Sequence, residues 1–485
     1  EERVIDVFPF AGYPIAVFGL GLSGLSAAKA LVKSEADVSA WDDDEDARQR
    51  AADEGVPLVD LYGIDWKEQT SLVLSPGVPL HHPQPHEIVK LAEAENVEVI
   101  CDAELLVRTQ RAAAYIGITG TNGKSTTTSL IGHIMQVSGR EAEIGGNLGI
   151  PALQLEPLEQ EGTYVLEMSS FQLELTRSIT FDVAVLLNIS PDHQDRYAGM
   201  DDYIAAKKMI FYRQTKPRTA VVGVDDDFSR AIYEQLKAAD DQVVIGVSGV
   251  ERVHGGIYTV NGVLVDDTEG HETPVMDLRE NPSLPGRHNW QNTAAAYAAT
   301  KSAGVDPHAV MACIQSYPGL VHRQEPVALI DGIGYVNDSK ATNAEAAARA
   351  LACYDAIYWI CGGRPKEGGL KAVEPYLGNV RHAFLIGEAA MEFSQFLDGR
   401  VPMTVSGDLK TALSDARKLA KKEKAEGAVV LLSPGAASFD QFDDFEARGD
   451  AFRDRVERLP GKHLDPSEEP GIFPGTRAAA EEEGG

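Results

Sequence analysis

Gly117-Ile-Thr-Gly-Thr-Asn-Gly-Lys-Ser125 decides how this chain reads. The apolar run Ala114 to Ile118 leads into it as a strand, and a helical stretch follows. Backbone N–H groups from Gly120, Thr121, Asn122, Gly123 and Lys124 can cradle anionic oxygens at the start of that helix. Lys124 supplies a point charge for β- and γ-phosphates, and Ser125 a hydroxyl for Mg²⁺. The longer spacing G-x-x-x-x-G-K-S would put glycine at 118, where Ile118 stands. The loop is therefore a shorter G-x-x-G-K-S variant, and it predicts an ATP site in a parallel α/β unit.

A second glycine loop lies upstream. Gly19-Leu-Gly-Leu-Ser-Gly24 follows the apolar run Ile15–Phe18 and precedes a helical stretch, Leu25 to Val32. A strand at Val38–Trp41 ends in Asp42-Asp-Asp44. Such a loop admits a nucleotide diphosphate, and an acid at the next strand end can take a hydroxyl or an imide. Alone, it would indicate a nicotinamide-dependent dehydrogenase. Two nucleotide loops in separate units point instead to an enzyme that joins a nucleotide-linked substrate to something else at the expense of ATP.

Further strands are predicted at Ser71–Leu74, running into Ser75-Pro-Gly77, and at Tyr164–Met168, Val183–Asn188, Ala356–Cys361, His382–Ile386 and Ala428–Leu432. A helix is predicted from Leu409 to Lys424. Strands alternating with helices make parallel sheets. Ile257 to Val265 alternates around Asn261-Gly262, a hairpin turn pair. The expected fold class is α/β with three domains: N-terminal Rossmann-like, 1–108; central P-loop-type with a small antiparallel insert, 109–318; C-terminal Rossmann-like, 319–463. An acidic tail without structure, 464–485, is expected to follow.

Of the 485 residues, 44% are hydrophobic and 24% charged, enough for packed cores, and no stretch approaches the roughly 20 uninterrupted apolar residues of a membrane helix. The opening Glu-Glu-Arg shows no leader pattern. A formal charge of −30 argues against a general nucleic-acid binder. Cys101, Cys313, Cys353 and Cys361 have neither zinc nor C-x-x-C spacing, and read as buried thiols in a reducing cytosol.

Two strand ends beside the phosphate loop carry metal-compatible groups: Glu167, and Asp192-His-Gln-Asp-Arg-Tyr197. Lys207, ten residues beyond Tyr197 in a helical stretch, reads by itself as a surface lysine.

Thr119-Gly-Thr-Asn-Gly-Lys-Ser125, Glu167-Met-Ser-Ser-Phe-Gln172, Asp192-His-Gln-Asp-Arg-Tyr197, Gly286-Arg-His-Asn-Trp-Gln-Asn292 and Asn337-Asp-Ser-Lys-Ala-Thr-Asn343 occur in order. Together they resemble the Mur ligases of peptidoglycan synthesis, up to about Leu459. The first glycine loop, Ser75-Pro-Gly77 and Ser433-Pro-Gly-Ala-Ala-Ser-Phe-Asp-Gln-Phe442 resemble the branch that adds D-glutamate to UDP-N-acetylmuramoyl-L-alanine.

The resemblance implies a cytoplasmic bacterial enzyme that uses ATP and two Mg²⁺ ions. It also implies small-molecule partners only, with neither nucleic acid nor membrane insertion, and a monomer. Lys124, His193 and Lys207 would be catalytic, with Lys207 carbamylated. Ser125, Glu167, His193 and Lys207 would hold metal. ATP would meet the loop from Gly120 to Thr126, together with Asn289, Asn292, Arg323 and Asp338. The UDP substrate would lie by Gly21, Leu22, Ser23, Asp42, Asp43, Ser75, Asn147 and Gln172. D-Glutamate would lie by Lys340, Thr342, Lys366, Ser438, Phe439 and Phe445, although Gly362-Gly-Arg-Pro-Lys366 departs from the glycine-rich run expected before that lysine. Domain closure would complete the site. The rival readings are a sister Mur or folylpolyglutamate-type ligase, a nicotinamide-dependent dehydrogenase, and a nucleotide-binding protein without turnover.

Overall fold

The structure is a computed structural model and describes residues 4–147, 149–191, 196–365, 368–466 and 473–474. The chain forms two compact units. The first comprises Glu1–Tyr258, Asp267–His271 and Gln291–Cys313; the second comprises Thr259–Asp266, Glu272–Trp290 and Ile314–Gly485.

The first unit opens with β1 (Pro14–Phe18), β2 (Asp37–Trp41), β3 (Ser71–Leu74) and β4 (Glu98–Ile100), a parallel sheet in the order β2-β1-β3-β4. The order reverses between β1 and β3, and ligands favour such a switch point. The second sheet of this unit runs through β5 (Ala114–Thr119), β6 (Ala142–Gly146), β7 (Thr163–Glu167), β8 (Val183–Leu186), β9 (Thr219–Gly223) and β10 (Val243–Ser248). All are parallel, in the order β6-β7-β5-β8-β9-β10. β11 (Ile257–Val260) begins by pairing Ile257 and Tyr258 with Val247 and Ser248.

The register puts Ile118 beside both Glu167 and Val185, so the segments after β5, β7 and β8 leave the sheet at one edge. Gly117 lies within β5 because a Cβ there would come within 2.5 Å of the Phe181 ring. Apolar side chains from Ile5 to Ile232 form a continuous buried cluster under these strands. At about 25 cal/mol per Å², that burial dominates the stability of the unit.

In the second unit, Asn261 and Gly262 both have positive φ, 47° and 78°, and turn the chain into β12 (Val263–Asp266). β12 pairs antiparallel with β13 (Thr273–Asp277). The larger sheet holds β14 (Glu325–Ile330), β15 (Ile333–Asn337), β16 (Ala356–Gly362), β17 (Val380–Ile386), β18 (Met403–Gly407), β19 (Ala428–Leu432) and β20 (His463–Leu464), in the order β18-β17-β16-β19-β15-β14-β20. β15 to β19 pair in parallel, while β14 is antiparallel to both its neighbours.

The expected strands lie within two residues of their predicted ends, except at Ile257–Val265, which the turn divides. The β14–β15 hairpin was not foreseen. Pro326 and the glycines of Gly332-Ile-Gly334 weaken its strand pattern, and the turn residues Asp331 and Gly332 have positive φ. The tail also differs from a wholly unstructured segment. Phe473 is 2% exposed and joins the apolar cluster that covers one face of this sheet. All four cysteines are buried and unbridged. No described helix is long and apolar enough to cross a membrane.

Candidate active site

The helix Lys124–Val137 starts directly from the phosphate loop, with Gly123 as its N-cap at φ 82°. A side chain at 123 would be strained there and would also collide with Asn292. Ile118 is a fully buried strand residue, which is why the loop is short. Two side chains from neighbouring segments hold it. Asn188 Oδ1 accepts the Asn122 N–H at 2.8 Å, and its Nδ2 donates to the Asn122 carbonyl at 3.1 Å. The Tyr203 hydroxyl lies 3.1 Å from Thr121 Oγ1. Lys124 Nζ donates back to the Gly120 carbonyl at 2.8 Å, so the ammonium sits over the cradle.

Glu167 ends β7 at 2% exposure. Its Oε1 accepts from Asn147 Nδ2 at 2.9 Å, while Oε2 is buried with no hydrogen-bond partner among the described residues. A buried carboxylate oxygen in that state is costly unless a cation or a donor meets it. The site therefore fits a hard, oxygen-loving ion such as Mg²⁺. Among the described residues no three His, Cys, Asp or Glu side chains cluster at metal distance.

Lys207 is not the surface lysine that its local sequence indicates. It is 2% exposed, and Nζ donates to the Gly120 carbonyl at 3.1 Å and to Thr119 Oγ1 at 3.4 Å. Tyr203, one helical turn earlier, lies under the same ammonium at 4.8 Å. His193 and Lys366 lie outside the described residues.

The first glycine loop shows why its glycines are needed. A Cβ at Gly19 would come 2.6 Å from Ser75 Cβ, and one at Gly24 would collide with the Gly19 carbonyl. The β1 loop and Ser75 thus close on each other at the switch point. Gly21 caps the helix Leu22–Lys33, where Leu22 is 67% exposed and Ser23 is half-buried. Asp42 accepts the Leu20 N–H at 2.6 Å and the Asp44 N–H at 2.9 Å, which fixes the loop. The Tyr62 hydroxyl donates to Asp43 at 2.9 Å, and His86 Nε2 lies 3.3 Å from it. Gln172 serves a capping box, with Oε1 accepting the Ser169 N–H, and is 2% exposed.

In the second unit, Asp338 follows β15 and is 4% exposed. It accepts from Ser433 Oγ at 2.8 Å and from the Gln324 N–H at 3.1 Å. Burial outweighs these bonds and pushes its carboxyl up to about 7. Asn289 Nδ2 donates to the Pro285 carbonyl at 2.7 Å, and Arg323 is half-buried in the turn before β14. The Lys340 ammonium lies 5.0 Å from the Phe445 ring centre, and the Thr342 N–H donates to the Lys340 carbonyl. Ser438 is buried beside Phe439, which is 62% exposed.

The motifs left out Asn188, Tyr203, Tyr62 and His86. Tyr203 had a signal, since it lies four residues before Lys207 and so on the same helical face. The other three act through tertiary approach and carry no local signature.

Residues 118–300 match the model of the Mur ligase middle domain. A UDP-N-acetylmuramoylalanine--D-glutamate ligase of Rhodospirillum rubrum is 49% identical over 462 residues, covering 94% of this chain and 97% of the relative. The chain belongs to the Mur ligase family. A second Mur ligase, the enzyme of that same name from Caulobacter sp. (strain K31), is also 49% identical, over 94% and 98% of the two chains. Among solved Mur ligases, the UDP-N-acetylmuramate-alanine ligase of Thermotoga maritima has TM-score 0.54 at 17% identity, over 92% of this chain and 99% of that one. This supports the α/β fold of the family.

Proposed function

We propose that this Mur ligase joins D-glutamate to UDP-N-acetylmuramoyl-L-alanine in the cytoplasm, using ATP, as a monomer. The observation that carries the ATP-dependent chemistry is the phosphate loop bordered by Lys124, Lys207 and Glu167, whose Oε2 has no partner among the described residues. The choice of substrates rests on the relatives' names.

The substrate carboxylate attacks the γ-phosphate of ATP, giving an acyl phosphate and ADP. The D-glutamate amine then attacks the acyl carbon, and phosphate leaves. Phosphoryl transfer of this kind is mostly positioning and charge stabilisation. The loop N–H groups from Gly120 to Lys124, with Thr126 in the first helical turn, orient the phosphates, and Lys124 balances charge on the moving oxygens. Glu167 and Ser125, with His193 and a carbamylated Lys207, would hold two Mg²⁺ ions. When bound, the ions supply Lewis-acid neutralisation of phosphate charge. A carbamate on Lys207 would turn a buried cation into an anionic oxygen donor while leaving one N–H for the Gly120 carbonyl.

Asn289, Asn292, Arg323 and Asp338 are assigned to ATP. Gly21, Leu22, Ser23, Asp42, Asp43, Ser75, Asn147 and Gln172 are assigned to the UDP substrate. Lys340, Thr342, Lys366, Ser438, Phe439 and Phe445 are assigned to D-glutamate. The domain limits proposed are 1–108, 109–318 and 319–463. The test is phosphate release with ATP and Mg²⁺, which should require both UDP-N-acetylmuramoyl-L-alanine and D-glutamate. Equal release with L-alanine or diaminopimelate in place of D-glutamate would overturn the substrate assignment.

A further inference from the structure

The Met200–Lys208 helix has two working faces. Tyr203 and Lys207 meet the phosphate loop. Asp202, Ala205, Ala206 and the next residue on that stripe, Met209, follow i, i+3, i+4, i+7 spacing and so lie on a different face. They line a cavity of about 750 Å³ within the first unit. That volume suits a small ligand. Among the described residues, none of those assigned above to ATP, metal or the UDP substrate lines it.

We propose that this cavity binds a small organic anion with a flat apolar body. The charge comes from two guanidinium groups on its rim. Arg177 makes no side-chain hydrogen bond or ion pair among the described residues, and Arg213 only lies over the Tyr212 ring, 4.8 Å from its centre. Arg177 also acts at longer range on Glu98. Guanidinium forks on a concave wall are matched by carboxylate, sulfonate or phosphate. His81 and His82 add donors on the same rim. The lining sets three arginines, Arg177, Arg196 and Arg213, against Glu174 and Asp202, in a chain of net charge −30.

The flat apolar body is called for by the floor. Tyr197, 7% exposed, stacks on Phe171 with an interplanar angle of 7°, and Ala206 and Met209 complete an apolar surface. One wall is rigid. Arg196 is committed to the carbonyls of Pro76, Gly77 and Val78 and lies over the Phe171 ring, so it shapes the cavity rather than serving a ligand. Glu174 is the acid nearest the floor. It accepts from the Tyr197 hydroxyl at 3.1 Å, and burial holds its carboxyl above the usual range. Asp202 is exposed at the rim and opposes binding in part.

The probe is 8-anilinonaphthalene-1-sulfonate, titrated by fluorescence into the full chain with Mg²⁺, a non-hydrolysable ATP analogue and UDP-N-acetylmuramoyl-L-alanine at saturation. Saturation keeps the probe out of the nucleotide sites. The expected result is one bound probe, with affinity reduced about tenfold or more both in Arg177→Glu/Arg213→Glu and in Ala205→Trp. The neutral N-phenyl-1-naphthylamine should respond to Ala205→Trp but not to the charge reversal. Retained ligase activity reports that each variant is folded. No binding to the saturated wild type, or affinity within about twofold of wild type in both variants, would overturn the site.

Discussion

Gly123 joins backbone conformation to nucleotide binding in a single residue. Its positive φ and its contact with Asn292 leave no room for a methyl group. Gly123→Ala should therefore weaken ATP binding by roughly tenfold or more while leaving UDP-substrate binding near wild type. Calorimetric titration of each ligand checks this. Lys124→Ala should lower kcat by about a hundredfold or more, because charge on the transferring phosphoryl group loses a cation that balances it. Phosphate release under saturating substrates measures it. Asp338 titrates in the physiological range. Its folded value of about 7 lies above the ordinary carboxylate value, so between about pH 4 and 7 the folded state holds a proton that the unfolded state has released. Stability from this group is therefore fully present below about pH 4 and is lost as pH rises through 7, at about 1.4 kcal/mol for each pH unit inside that window. Asp338→Asn should consequently be more stable relative to wild type at pH 8 than at pH 5. Urea midpoints at the two pH values give the sign, and an unchanged difference would refute it.

At the scale of elements, one carboxylate ties the helix Asp102–Thr109 to the segment after the Ser170–Glu174 helix. Glu104 is fully buried and accepts from the Arg177 N–H, the Ser178 N–H and hydroxyl, and Arg108 Nε. Glu104→Gln cannot accept all of these and should cost about 2–4 kcal/mol in thermal or urea unfolding. The strands and the two glycine loops were legible because each depends on local pattern: apolar runs, then glycines, then helical spacing. Lys207 was legible only by family likeness, since its neighbours Ala205, Ala206 and Lys208 read as a solvated helix. Its burial is made by Tyr203 on its own helix and by the Thr119 hydroxyl and Gly120 carbonyl, which come from the end of a strand far away in sequence. The β14–β15 hairpin escaped notice for the opposite reason. Its turn residues interrupt the apolar pattern, and the pairing in β14 shifts between Pro326 and Ala328.

Over the whole molecule, the −30 formal charge is spread across a chain with 74 acidic and 44 basic side chains. Like-charge repulsion acts on the compact state and is screened over about 10 Å at 0.1 M salt. Raising NaCl from about 0.05 to about 0.5 M should therefore raise the unfolding temperature, as differential scanning fluorimetry would record. Against this acidic background, the apolar anchor near the C-terminus has a practical meaning. Gly334 lacks a side chain, and a Cβ there would stand 3.0 Å from the Phe473 ring and 3.2 Å from Pro474. The strand is shaped to receive that ring. A shortened expression clone ending at Asp465 would uncap an oily socket, so the economical trimming point for crystallisation lies after Pro474, not before Phe473.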